Sequence, residues 1–483
     1  MPHHTHTLPS TSEAAFYRRG LLTLYAVLGF SLCSLLYLTW KAPTYLSFFP
    51  ILLAGIGGLW YLLRHPLLNL TLILFGFILV ADHQEGIQIT EAIYGLYYLS
   101  YLAFWFLSRL FFYRDRVLDT PGSIALFLLI VWATLTIPLS LLSGGNSRWI
   151  FSEWVAMATL LLYFPIREGF ARHKRMPEVV IALVLIIGSI LALRNLYEYQ
   201  QGLSDATQAW QIIRGRAVTN DSILMSISLI GLIFLLHAER WHYRLMLLIA
   251  FLLNFVGLLL TQSRAFWVTF LLGVGLLFVF FDRRHKTRLI GLVLIGSFGA
   301  LAFGIIFFEE YISLIISGLI ERISSLGSAA SRDISLINRF YETQTVWERI
   351  IQNPVIGYGM GVPYRFFDLT RHSTDVDSFV HNGYLSLWYR LGLPGLTAIL
   401  VLWVSSIWQG FTAYRTTNSP LLTRLCGLST AITLTVLALP ALTSNPFHRN
   451  DGTFLFALLA GIAAGTYERL KCRVPVRSSK DLT

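Results

Sequence analysis

Charge is what this chain has little of. Lys, Arg, Asp and Glu make up 13% of its 483 residues and apolar side chains 55%, and the mean hydropathy is +0.62. That composition excludes a soluble protein. Cysteine is scarce as well: Cys33 and Cys426 lie in apolar runs and Cys472 in a basic tail, which gives neither a disulfide framework nor metal-ligand spacing. Small residues of a cleavage site are missing after Arg18-Arg19, so the run 21–40 reads as a retained span. Short alternating segments of about ten residues, which an outer-membrane barrel needs, are missing too, and there is no internal repeat.

What the chain does have is long apolar runs. A bilayer core of about 30 Å requires about 20 apolar residues of a helix. Candidate spans are 20–40, 44–63, 66–81, 91–113, 122–142, 149–166, 178–198, 220–238, 243–261, 265–281, 289–308, 384–410, 421–442 and 452–468. Run 66–81 is short and 44–63 is interrupted by glycine, so the expected fold is an all-α, polytopic membrane protein of 12 to 14 transmembrane helices. With the N-terminus inside, alternate loops collect Arg64, Arg114, Arg116, Arg167 to Arg175, Arg240, Arg244, Arg283 to Arg288, Arg415, Arg424 and the tail. The other set, 81–86, 143–148 and 444–451, is far poorer in Lys and Arg, as positive-inside bias predicts. The formal charge of +11 is therefore assigned to cytoplasmic loops, not to nucleic acid. The expected organisation is a leader at 1–19, a bundle at 20–308, one large periplasmic loop at 309–381, C-terminal spans at 382–468 and a basic tail at 469–483, forming one membrane domain.

Within the large loop, Ile334, Ile337, Tyr341, Val346 or Trp347, and Ile350 share one helical face, predicting an amphipathic helix of the kind that lies along a membrane surface. Asn353-Pro354 ends it. GYGMG at 357–361 reads as a turn and Asp375-Val376-Asp377 as polar loop, since no βαβ unit surrounds the former and His372, His381, Asp375 and Asp377 match no metal-ligand spacing. The loop ends at HNGYLSLWYRLGLPG, residues 381–395, where a His-Asn pair opens a helix that breaks at Gly392-Leu393-Pro394-Gly395.

Three basic sites fall on this outer face: Arg214 and Arg216 in RGRAVTN, Arg264 in LLLTQSRAFW, and His381. An arginine bordered this tightly by apolar residues is costly unless it faces a partner or a wet cavity; a snorkelling side chain is the structural alternative. A guanidinium fork suits phosphate oxygens, and a polyprenyl diphosphate carries two phosphates at the lipid–water boundary. Fixed cations neutralise such a leaving group without reorganising, and a histidine deprotonates an acceptor hydroxyl. For His381 the structural alternative is a helix cap. Asn382 is a candidate to orient the histidine or to touch substrate, and Arg339 and Tyr341 are candidates for diphosphate or acceptor binding.

His381-Asn382, nine residues, Gly392, two residues and Gly395 resemble the outer-loop pattern of bacterial O-antigen ligases. NPVIGYGMG and LTQSRAFW are similar to the wider superfamily of O-antigen ligases, O-antigen polymerases and protein O-oligosaccharyltransferases. The resemblance covers about 210–400, and the first 200 residues by topology alone. It implies a C-type glycosyltransferase of the bacterial inner membrane that moves a glycan from undecaprenyl diphosphate to lipid A–core at the periplasmic face, with neither metal nor cofactor. It implies His381 as the acceptor base and Arg264 with Arg216 or Arg214 at the diphosphate. The family's Arg, three residues, Leu is absent: Arg216 precedes Ala-Val-Thr-Asn and Arg214 precedes Gly-Arg-Ala-Val, so the choice between the two stays open. A lipid-linked glycan transporter is the alternative of another class; it places its charges near the bilayer midplane between repeats.

Overall fold

The computed structural model describes residues 64–80, 89–113, 117–204, 220–307, 334–368, 372–448 and 450–471, with isolated positions between 54 and 62 and at 320. The leader, the span 20–40, most of 44–63 and the tail beyond Lys471 lie outside the described residues. The chain divides into two units, Met1–Val117 and Leu118–Thr483. The first holds α1 (Pro66–Val80) and α2 (Ile89–Ser108), the latter continued as a π-helix to Tyr113. Tyr97 Oη donates to Asn69 Oδ1 at 2.5 Å and Tyr94 Oη to the Ile73 carbonyl, joining the two helices.

The second unit contains α3 (Pro121–Leu135), α4 (Ile137–Leu142), α5 (Ser147–Thr159), α6 (Tyr163–Arg172), α7 (Met176–Ser204), α8 (Asp221–His237), α9 (Trp241–Leu260), α10 (Arg264–Phe280), α11 (Arg283–Phe307), α12 (Ile334–Gln352), the strands β1 (Tyr364–Asp368) and β2 (Ser373–Asp377), then α13 (Gly383–Arg415), α14 (Leu421–Leu437) and α15 (Asn450–Lys471). Every expected span from 66–81 onward is a helix. Among the described residues, six stretches are long and apolar enough to cross a membrane: 121–142, 147–172, 176–201, 241–260, 383–415 and 421–442. The chain is an all-α, polytopic membrane protein. Its core lies in α8, α14 and α15, where Ile223 to Leu236 and Gly452 to Thr466 are buried; a helix apolar all round belongs inside a large assembly of helices.

The two ends of this unit differ in chemistry. At one, Arg167 binds Asp119 and Glu468, with Nε 2.8 Å from Glu468 Oε2, and Arg469 donates to the Lys174 carbonyl. Phe280, at the C-terminal end of α10, stacks on Phe411 near the C-terminal end of α13. α10 also packs against the turn Pro440–Leu442, so its first residue, Arg264, lies at the opposite end, with the N-terminus of α13.

α13 breaks where its sequence says it should. Gly392 has φ 63° and ψ −167°, a left-handed conformation open to glycine, and Pro394 has no N–H. The carbonyls of Tyr389 and Arg390 therefore lose their partners four residues on. The segment 354–361 replaces them: Tyr358 N donates to Tyr389 O and Gly359 N to Arg390 O, both at 2.8 Å. Leu393 N, freed from the helix, bonds the Pro354 and Val355 carbonyls, and Trp132 Nε1 donates to Leu391 O at 2.7 Å. GYGMG is thus a strap across the break. A Cβ on Gly357 would stand 2.6 Å from Gly392 N, and one on Gly392 2.1 Å from Val355 O.

Two expectations change. Asp375-Val376-Asp377 is not loop but part of β2, paired antiparallel with β1 so that Tyr364 faces Asp377 and Phe366 faces Asp375; the polar alternation is that of a half-buried strand. The buried stripe of α12 runs through Glu342, Val346 and Ile350, while Tyr341 and Trp347 are 46% and 43% exposed. The face is turned by one residue because an acidic side chain occupies the buried row.

The break yields a test. Gly392→Ala should lower stability in detergent by several kcal/mol, from positive φ and from overlap with a backbone that has no room to move. Gly275, in α10 with open space around it, is the control: Gly275→Ala should be neutral or slightly stabilising. Thermal unfolding of the two variants checks both.

Candidate active site

α12 alone would be marginal in water. It is held by a small core of Val346 and Ile350 with Tyr364, Val380 and Tyr389, flanked by Phe366, Leu385 and Trp388. Burial of each such side chain contributes about 1.5–3 kcal/mol. Asn338 Nδ2 also donates to Asp368 Oδ1 at 2.7 Å, fixing the first turns of α12 to β1. Glu342 lies one turn before Val346 and is therefore carried inward, to 3% exposure.

There it meets His381. Glu342 Oε1 accepts from the His381 backbone N–H and Oε2 is 2.6 Å from Nδ1, also at 2.6 Å for the first bond. A carboxylate only accepts, so Nδ1 carries the proton and Nε2 is left as the basic nitrogen. The imidazole is 38% exposed. A buried carboxylate behind a half-exposed histidine fixes the ring's tautomer and favours the imidazolium that forms when the ring takes a proton.

The approach to His381 is held at every step. Asp377 Oδ1 accepts from Phe379 N, Tyr364 Oη donates to the Phe379 carbonyl at 2.7 Å, and Asn445 Nδ2 donates to the Val380 carbonyl at 2.9 Å. Burial, with the carboxylates of Glu342 and Asp377 nearby, pushes the Tyr364 phenol well above its ordinary value, so it remains a donor. Arg390 donates to Ser378 O and Ser386 Oγ, and its Nε is 2.9 Å from the buried Glu153 Oε2.

Asn382 does not orient the histidine; Glu342 does. The Asn382 Oδ1 caps α13, accepting from Tyr384 N at 3.0 Å and Leu385 N at 3.1 Å, the usual use of asparagine at that position. The helix cap is thus Asn382 and not His381. Arg264 is partly buried and opens α10 after a turn in which Gln262 takes φ 51° and donates to Tyr199 Oη at 3.3 Å. Arg339, on α12, donates to the Thr443 carbonyl at 3.0 Å, in the turn that follows Pro440–Leu442. Tyr341 is exposed beside it in sequence. Arg214 and Arg216 lie outside the described residues; the chain enters and leaves their segment at Ser204 and Asn220. Arg264, Arg339 and His381 thus gather at one end of the helices, opposite Arg167 and Arg469.

Four residues were not singled out from sequence: Glu342, Glu153, Arg390 and His448. Two of them, Glu153 and Arg390, carry a signal, a charge within an apolar span. Glu342 and His448 carry none.

A family model described as O-antigen ligase matches residues 247–400. That stretch contains Arg264, Glu342, the strap, the hairpin, His381 and the break in α13, and the match supports membership of the O-antigen ligase superfamily. Comparison with curated proteins gave no match.

A double-mutant cycle tests the His381–Glu342 bond. Glu342→Ala and His381→Ala, alone and together, should show a coupling of about 0.5–3 kcal/mol in detergent unfolding. Strictly additive losses would mean that the two side chains do not share the bond.

Proposed function

We propose that this chain is an O-antigen ligase: a C-type glycosyltransferase of the bacterial inner membrane that transfers a glycan from undecaprenyl diphosphate to a sugar hydroxyl of lipid A–core at the periplasmic face. The observation that carries the reading is the His381 imidazole, held through Nδ1 on a buried glutamate at the end of the molecule where Arg264 lies. The match of residues 247–400 to the O-antigen ligase family model supports a lipid-linked glycan as substrate.

In the mechanism, His381 Nε2 takes the proton of the acceptor hydroxyl and Glu342 balances the resulting imidazolium. The acceptor oxygen bonds the anomeric carbon as the bond from that carbon to the diphosphate oxygen breaks. The electron pair leaves with the diphosphate, whose charge Arg264 and Arg216 or Arg214 neutralise. Direct displacement inverts the anomeric centre. No step calls for a metal or a nucleotide. Arg339 and Tyr341 are proposed to border the diphosphate or acceptor, and Asn382 contributes by fixing the start of α13.

Reconstitution with a lipid-diphosphate glycan tests the reading, with lipid A–core, free glycan or pilin offered as acceptor. Product on lipid A–core alone is expected; chain lengthening would make the protein a polymerase, and product on pilin a protein O-oligosaccharyltransferase. His381→Ala should lower the transfer rate by about 10²–10⁴-fold; full activity would remove the base. Arg264→Lys should remain impaired, because a point charge does not reproduce a bidentate fork. Loss of activity with chelator would instead favour a metal at Asp375 and Asp377.

A further inference from the structure

A second buried carboxylate stands on the other side of the segment that leads to His381. Glu153, in α5, is 3% exposed and lies outside the matched stretch 247–400. Its Oε2 accepts from Gly361 N at 2.9 Å and is 2.9 Å from Arg390 Nε, while Oε1 is 3.6 Å from His448 Nδ1. One carboxylate therefore meets the strap, α13 and the turn before α15.

The geometry around Phe379 gives this contact a purpose. The His448 ring meets Phe379 edge-on with centroids 4.9 Å apart and planes at 78°. The His381 ring meets the same phenylalanine at 4.8 Å and 82°. Phe379 thus lies between two imidazoles: Glu342 hydrogen-bonds His381, and Glu153 stands 3.6 Å from His448 Nδ1, beyond hydrogen-bond reach and an ion pair when that ring is protonated. The rest of 443–448 follows the same design, since Asn445 holds the Val380 carbonyl and Thr443 accepts from Arg339. A buried ion pair is a weak source of stability, because apolar side chains of similar volume often do as well. What an apolar residue at 153 would not do is fix three separate segments relative to one another.

We propose that Glu153 and His448 are positioning residues of the transfer site, holding Phe379 so that the His381 imidazole is set from the side opposite Glu342. The proposal rests on the reading of His381 as the acceptor base. Glu153 acts through Arg390 and His448, and neither it nor His448 is asked to touch substrate. It also gives the helices outside the matched stretch a part in the reaction.

The test uses the full chain in detergent with ¹⁵N-labelled histidine, and in parallel turnover with a lipid-diphosphate glycan and lipid A–core. His448→Phe keeps a ring against Phe379 and removes the link to Glu153. The imidazole signals of His381, assigned by their loss in His381→Gln, should shift or broaden. The kcat should fall about 10- to 100-fold, the scale of a misplaced catalytic group, with both KM values unchanged. Glu153→Asp should restore more of kcat than Glu153→Gln. Unchanged His381 signals in His448→Phe would overturn the proposal, as would equal loss in Glu153→Asp and Glu153→Gln. A raised KM at constant kcat would overturn it too, by making His448 a substrate contact. Should His448→Phe not fold, Phe379→Leu with His448 intact is read by the same signals and the same split. If the wild type transfers glycan to no acceptor, the proposed function fails, while the histidine signals still decide the positioning.

Discussion

Backbone hydrogen bonding at the break in α13 is the constraint from which the end that carries His381 follows. Gly392 turns the chain out of the helix and Pro394 withholds a donor, so the carbonyls of Tyr389 and Arg390 need partners from elsewhere. In a membrane such groups cannot be left to water, and unpaired they cost several kcal/mol each. The strap supplies the N–H groups of Tyr358 and Gly359, and in doing so brings α12, which precedes it, against the first half of α13. The nine-residue spacing between Asn382 and Gly392 is then the length of helix that separates the cap from the docked strap.

Once α12 is docked, the carboxylate at its buried face has a single use. Glu342 is too deep to be solvated, and its two carboxylate oxygens bond the backbone N–H and the Nδ1 of His381. A lone histidine at a membrane surface is free to choose tautomer and rotamer. This one is denied that choice by its two bonds to Glu342.

The division of the molecule into two ends sets the chemistry available at each. Arg167, Asp119 and Glu468 close one end with paired charges. The other gathers Arg264, Arg339 and His381. Glu153 shows that this arrangement is not confined to the stretch that marks the family, because it reaches Gly361 from 208 positions away.

The spans and the break at 392–395 were legible in the amino-acid order. Each depends on a local property: about 20 apolar residues to cross a bilayer, and glycine with proline inside a helix. His381 was legible for the same reason, as a titratable residue where an outer loop meets a span. The partner of His381 was not. Glu342 looks like any acidic residue of an amphipathic helix, and only docking of Val346 and Ile350 turns it inward; reading the stripe by hydrophobicity alone put Tyr341, and not Glu342, in the row with Ile350 and Val346 or Trp347. Asn382 looked like a companion to the histidine because it is adjacent in sequence, yet a helix start faces it toward the N–H groups of Tyr384 and Leu385. Local chemistry decided where the helices run and where the histidine stands; long-range packing decided what holds that histidine, because a buried carboxylate acquires its role from what it is buried against.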